Sequence, residues 1–301
     1  MQQTVQAIID DLSGVIYGKQ QQIKLALTCL FSQGHLLIED LPGMGKTTLS
    51  HALAAVLGLT YQRVQFTSDL LPSDILGSSI FNANKHEFTF HKGPVFSQVV
   101  LADEINRAGP KTQSALLEAM EENQVTMDGE KHALPSPFFV IATQNPLYQS
   151  GTYPLPESQL DRFFMRISLG FPPQEAERKL ILGQNNRDYD RLPVRINAEQ
   201  LIAIQNKIST VTLSTPVVDY ILALVWATRN NSQFANALSP RASIALGKAA
   251  QAWAFIDGRD FVTPDDIQAI FASVTEHRLG LNHDTSAQQL NQLLNDVNVP
   301  L

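Results

Sequence analysis

Residues 35–49 read HLLIEDLPGMGKTTL. An apolar strand-like segment, 36–39, runs into a loop with two glycines. A segment follows in which Leu49, Leu53, Val56 and Leu57 share one helical face, closed by Gly58. A strand that turns at once into a helix must be carried back over its own sheet. This local pattern therefore commits the chain to an α/β fold with a mainly parallel sheet. The loop also commits the chain to a ligand class. Gly43 and Gly45 permit unusual backbone angles and close approach, so that backbone N–H groups and the helix N-terminus face an anion. In such a loop Lys46 reaches the β- and γ-phosphates of a nucleoside triphosphate, and the Thr47 hydroxyl ligates Mg²⁺. The expected binding set is Pro42, Gly43, Met44, Gly45, Lys46, Thr47 and Thr48. One position departs from the usual pattern: Asp40 stands where a first glycine is expected.

The rest of the first two thirds repeats the alternation. Residues 19–31 place Ile23, Leu27 and Leu30 on one helical face; 61–66, 98–102, 138–143 and 165–169 read as strands, and 47–57, 111–122 and 174–183 as helices. The predicted fold is an αβα sandwich around a parallel sheet, followed by a small all-helical domain. Two stretches interrupt the pattern. Residues 73–94 look like an inserted element with an alternating piece at 87–91. Residues 124–134 carry Asp128-Gly129 between two short alternating runs, a strong hairpin signal. After a polar stretch at 185–193, read as a linker, the chain becomes helical. Thr215-Pro216, Ser239-Pro240 and Thr263-Pro264 each look like a cap followed by a first-turn proline, and 288–294 suit a last amphipathic helix. The predicted boundary is 1–185 for the sandwich and 186–301 for the helical lid.

Two further segments carry chemistry. Val99-Val100-Leu101-Ala102-Asp103-Glu104 is an apolar strand ending in two carboxylates, at the edge where open α/β sheets hold ligands. Asp103 is suited to hold Mg²⁺ and Glu104 to orient or deprotonate the attacking water. In residues 138–146, FFVIATQNP, Asn145 can bond that water or the γ-phosphate. Read by itself, Asn145-Pro146 is equally a turn dipeptide.

Composition sets limits. The net charge of −7 and the absence of any Lys/Arg run speak against a phosphate-backbone grip, so nucleic acid is not expected as a partner. The hairpin region mixes Lys131 and His132 with Asp128 and Glu130. Apolar runs are too short to span a bilayer, and residues 1–11 lack the form of a signal peptide. With Cys29 as the only cysteine, on an apolar helical side, no internal disulfide forms. The expectation is a cytoplasmic protein.

Together the segments LPGMGKTTL, QFTSDLLPSDILGS, GPVFSQVVLADEINRA, LLEAMEENQVT, FFVIATQNP, LPESQLDRFFMRI and LSPRA resemble the MoxR-type AAA+ ATPases, from about Gly18 to Thr275. The resemblance implies an ATPase that works as a homo-oligomer, a hexameric ring. It implies that Asn145 is the sensor-1 residue and that Arg162 is an arginine finger acting on ATP held by a neighbour. Arg166 is a weaker candidate for that interface. Arg241 matches the sensor-2 arginine, and residues 16–18, with Gly18, match the segment beside the adenine. Residues 73–94 match the insertion of the helix-2 branch and 124–134 the hairpin before sensor 1, both facing the substrate side in rings. The implied partners are client proteins and a protein with a von Willebrand A domain and metal-dependent adhesion site, for remodelling, maturation or metal-cofactor insertion. Asp284-Thr285-Ser286 only begins like that adhesion motif and reads as a helix cap. The alternatives are a magnesium-chelatase-type motor subunit and, less favoured, a nucleic-acid motor.

Overall fold

A computed structural model of the chain describes residues 1–83, 86–145, 151–183, 192–281 and 286–299. The predicted linker (185–193) lies mostly outside the described residues, as do Pro146 and the first two residues of the 284–286 motif. In chain order the elements are α1 (Gln2–Ser13), α2 (Gln20–Phe31), β1 (Leu36–Glu39), α3 (Lys46–Val56), β2 (Tyr61–Gln65), α4 (Pro72–Leu76), β3 (Gly77–Asn82), β4 (Glu87–Lys92), β5 (Val99–Asp103), α5 (Pro110–Glu122), β6 (Gln124–Met127), β7 (Glu130–Ala133), β8 (Phe139–Gln144), α6 (Glu157–Leu160), β9 (Met165–Ile167), α7 (Gln174–Ile181), α8 (Ala198–Ile208), α9 (Thr215–Arg229), α10 (Pro240–Ile256), α11 (Pro264–Thr275) and α12 (Ser286–Asp296).

The central sheet has the order β2-β5-β8-β1-β9 and all its pairs are parallel. β1, β5 and β8 are buried at every position, which is why they read as unbroken apolar runs: both of their faces are covered. Alternate residues serve the two faces. Leu36, Ile38, Val99, Leu101, Phe139 and Ile141 pack with α1, α2 and α3. Leu37, Val100, Ala102, Val140 and Ala142 pack with α5 and the start of the insertion. β2 lies at one edge and keeps only Val64 buried, so its polar residues are tolerated.

α1 is an element the sequence pattern did not announce. Its buried residues Val5, Ile8, Ile9 and Leu12 follow the helical period inside a polar segment. The helices after residue 198 share the first of these cores: Leu201, Tyr220, Trp253 and Ile267 belong to it, and α10 lies against α2. Lys24 reaches Asp257 at 2.5 Å, and the Gln205 amide donates to the Leu30 carbonyl at 3.0 Å. Cys29 is buried, and burial pushes its thiol up.

Two caps match expectation. Ser239 accepts from the Ala242 N–H, and Asp266 accepts from the Thr263 N–H in a capping box. The third needs correction. Ser214 is the cap of α9 and Thr215 its first helical residue, because Pro216 takes the second position of the turn. The predicted hairpin is β6–β7, with Asp128 and Gly129 both at positive φ, 52° and 84°. That is the requirement of the two-residue turn whose twist suits a hairpin. β3 and β4 form a second hairpin that leaves Ile80, Phe81 and Phe88 exposed.

Candidate active site

The glycine loop closes β1 at the middle of the sheet. Gly43 and Gly45 have φ of 86° and 91°, and a Cβ at either would project into open space. The loop is thus held in a left-handed form with its concave side clear. Lys46 opens α3 and is 7% exposed. Its ammonium donates to the Asp40 carbonyl at 2.6 Å, the Asn145 Oδ1 at 3.0 Å and the Gln144 carbonyl at 3.4 Å. Burial lowers its pKa, and Asp40, Asp103 and Glu104 oppose that shift.

Asn145 joins Lys46 to Glu104. Its Oδ1 accepts from the lysine, and its Nδ2 donates to Glu104 Oε1 at 3.0 Å. Glu104 itself sits at φ 57°, an uncommon angle for a side-chain-bearing residue and one that concentrates at functional sites. Its N–H donates to the Thr143 hydroxyl at 2.9 Å, and that hydroxyl donates to Asp103 Oδ1 at 2.6 Å. Gln65 and Arg107 hold Glu104 Oε2 at 2.8 and 3.1 Å. Arg63 grips Asp103 Oδ2 through Nε at 3.1 Å and Nη2 at 2.6 Å.

Sequence reasoning passed over Thr143, Gln65, Arg107 and Arg63. The one available signal is the pair Arg63 and Gln65, two apart on a strand and so on one face. It noted Asp40 only as a departure from the glycine pattern. The Asp40 carboxylate is buried, accepts from the Leu169 and Gly170 N–H groups and the Ser168 hydroxyl, and ties the loop to the end of β9.

Beside the loop, a cavity of about 180 Å³ is lined by Val15, Ile16, Tyr17, Met44, Thr48 and Pro172, among others. Gly18 adjoins it at φ 70°, where a Cβ would fall 2.7 Å from the Pro173 ring. This recess has the size of a planar base and lies next to the glycine loop.

Arg162 and Arg241 are elsewhere. Arg162 precedes β9, whose first residue pairs with the first residue of parallel β1. Both arginines line a cavity of about 630 Å³ with His35, Phe138 and Phe139, at the amino ends of β1 and β8. Asn145 and Lys46 lie at the carboxyl ends. The six residues of β8 put about 17 Å between those edges. Arg166 is engaged inside the chain, with Glu39 and Glu276 both at 3.0 Å.

Residues 35–165 match the ATPase family associated with various cellular activities (AAA), and 226–297 match the AAA lid domain. The chaperone MoxR1 of Mycobacterium tuberculosis is 38% identical over 99% of this chain and 82% of its own length. The chain belongs to the MoxR family of AAA ATPases. The uncharacterized protein YeaC of Bacillus subtilis is 43% identical over 97% of this chain and 94% of that protein. A crystal structure of a protein from Cytophaga hutchinsonii, named as a proposed ATPase, superposes with a TM-score of 0.89 at 38% identity, covering 100% of this chain and 96% of that one. This MoxR-family member is thus an ATPase with an αβα core and a helical lid. No helix among the described residues is long and apolar enough to cross a membrane.

Proposed function

We propose that this MoxR-family ATPase completes each catalytic site from two copies of the chain and uses the turnover to remodel partner proteins. One observation carries the reading: Arg162 and Arg241 lie at the opposite edge of the sheet from Lys46, so no chain can serve its own γ-phosphate with them. A contact between the carboxyl edge of one copy and the amino edge of the next is heterologous, and repetition of it generates a ring or a spiral. A hexameric ring fits this geometry.

The roles follow from position. Gly43, Gly45 and the α3 N-terminus cradle the phosphates, with Pro42, Met44 and Thr48 shaping the loop and Gly18 closing the base recess. Lys46 offers its ammonium to the β- and γ-phosphates. Glu104, held by Asn145 and Gln65, takes the proton of the attacking water, and Asn145 fixes that water against the triphosphate. Arg162 and Arg241 of the adjoining copy stabilise charge on the transferring group. Mg²⁺, when bound, would be held by oxygen donors of the kind it prefers, the Thr47 hydroxyl and the Asp103 carboxylate, and would neutralise charge on the triphosphate.

The output belongs to the two hairpins. Phe81 and Phe88 stand exposed on β3–β4, and Phe90 stacks on His132 of β7 at 4.1 Å, linking the two hairpins. Client proteins and a von Willebrand A-domain partner, in the cytoplasm, are the proposed recipients, with maturation or metal-cofactor insertion as the outcome. The division into a sandwich at 1–185 and a lid at 186–301 is part of this proposal.

The test mixes two inactive variants. Lys46→Ala cannot bind productively and Arg162→Ala cannot assist a neighbour; each alone loses turnover, the latter by about 10³-fold or more. Mixed assemblies contain junctions with an intact Lys46 facing an intact Arg162, so activity returns. Mixtures that remain inactive refute a site built from two copies.

A further inference from the structure

Arg162 and Arg241 are 79 residues apart in sequence (241 minus 162) yet end on one carboxylate. Glu121, in the last turn of α5, accepts from Arg241 Nη2 through Oε1 at 2.7 Å and pairs with Arg162 Nη2 through Oε2 at 3.0 Å. Asp161 flanks the pair more loosely: its Oδ1 accepts from Arg278 Nε at 2.7 Å, and its Oδ2 forms a longer ion pair with Arg241 Nη1 at 3.8 Å. Two guanidinium groups facing one cavity repel each other, and each sits on a long side chain with rotamer entropy to lose. A carboxylate with one oxygen for each removes the repulsion and fixes their separation. Each guanidinium has five N–H donors. The contacts to Glu121 use one nitrogen of each, so both keep donors for an outside anion.

We propose that Glu121 is a positioning residue for hydrolysis: it sets Arg162 and Arg241 as a rigid pair whose remaining donors meet the triphosphate of an adjoining copy. This rests on the two-copy reading above. Glu121 acts only through the arginines, so its loss lowers turnover and spares nucleotide binding. α5 runs directly into β6–β7 after Asn123, whose φ of 52° makes the turn. The same carboxylate therefore ties the arginine pair to the root of a hairpin.

The experiment is a mutant cycle on the full assembled chain. Turnover is measured at saturating ATP and Mg²⁺, and ADP affinity by titration of the free chain. Glu121→Gln keeps the shape and removes the charge. It is expected to lower kcat on the order of tenfold to a hundredfold, the scale set by misplacing a catalytic group, with ADP affinity unchanged. Glu121→Asp keeps one of the two pairs and falls between the two. Glu122→Gln removes a neighbouring charge from the same helix end and leaves kcat unchanged. In the Arg162→Ala, Arg241→Ala background, adding Glu121→Gln has no further effect. The proposal is overturned if Glu121→Gln retains kcat within twofold, if Glu122→Gln loses as much, or if Glu121→Gln lowers the double-arginine background by its full factor. Should Glu121→Gln fold poorly by thermal melt, Glu121→Asp decides by the same criteria. The two readings fail separately. A double-arginine variant with normal turnover sinks the two-copy site; an inactive one beside a fully active Glu121→Gln sinks only the role of Glu121.

Discussion

Replacing Arg63 by alanine is expected to make turnover more sensitive to magnesium. Asp103 offers two oxygens, and only one is free to change partners. Oδ1 is held by the Thr143 hydroxyl at 2.6 Å, in a buried contact. Oδ2 is gripped by Arg63 at 2.6 and 3.1 Å. A cation recruited to Asp103 competes with the guanidinium for Oδ2, and alanine removes the competitor while Thr143 keeps the carboxylate aimed. The size follows from exposure. The Arg63 side chain is 49% exposed against 10% for Asp103, so the pair is largely screened and is worth about 1 kcal/mol. That corresponds to roughly a fivefold fall in the half-saturating free Mg²⁺. Steady-state phosphate release at saturating ATP, with free Mg²⁺ varied, gives the number. Because the competition is partly solvent-exposed, the gap between the native chain and Arg63→Ala should narrow as ionic strength rises. Arg63→Lys keeps a charge but loses the fork, and should fall between them. An unchanged or higher magnesium requirement in Arg63→Ala refutes the reasoning. It would mean that Arg63 helps Asp103 face the metal.

Two further outcomes concern the framework around the site. His35 accepts from the Val140 N–H at Nδ1 and meets the Met120 carbonyl at Nε2. Burial lowers its pKa to about 4. The native ring stays neutral while the unfolded one takes a proton near pH 6.5. This contribution is therefore intact above pH 6.5 and declines toward pH 4, by at most about 3 kcal/mol and less to the extent that the ring edge meets water. Urea midpoints at several pH values should fall less steeply in His35→Gln than in the native chain; parallel profiles would contradict this. Arg259 donates two bonds of 2.6 Å to Asp266, which is 2% exposed and caps α11. Burial by itself would raise the Asp266 pKa, but Arg259 and Thr263 bring it below the ordinary range. Arg259→Ala leaves that carboxylate buried without its cation and should cost about 3 kcal/mol, read as a lowered unfolding midpoint. A loss under about 1 kcal/mol would show that water replaces the arginine.

How much of this was legible depends on how far each feature reaches along the chain. The phosphate cradle lies within fifteen residues, and its strand, glycines and helix are each local preferences, so sequence alone places it. Asp103 and Glu104 are legible for the same reason: an apolar strand that ends in acid marks its own carboxyl end. Gln65 and Thr143 are not, because the sheet register alone sets Gln65 beside Asp103 and carries the Thr143 hydroxyl to Asp103 and Glu104. The role of Asp40 is not legible because its partners Ser168, Leu169 and Gly170 lie about 130 residues onward. It gives up the glycine of the usual loop and gains a tie to the last strand. α1 escaped notice because its four apolar contacts sit among polar residues that dominate the composition. Arg162 and Arg241 show the remaining limit. Family resemblance names them, but only the parallel pairing of β9 with β1 puts Arg162 at the amino edge, and only the packing of α10 brings Arg241 to the same carboxylate. A strand length separates them from Lys46. On the proposed two-copy reading, that distance makes them the half of a site that each copy lends to the next.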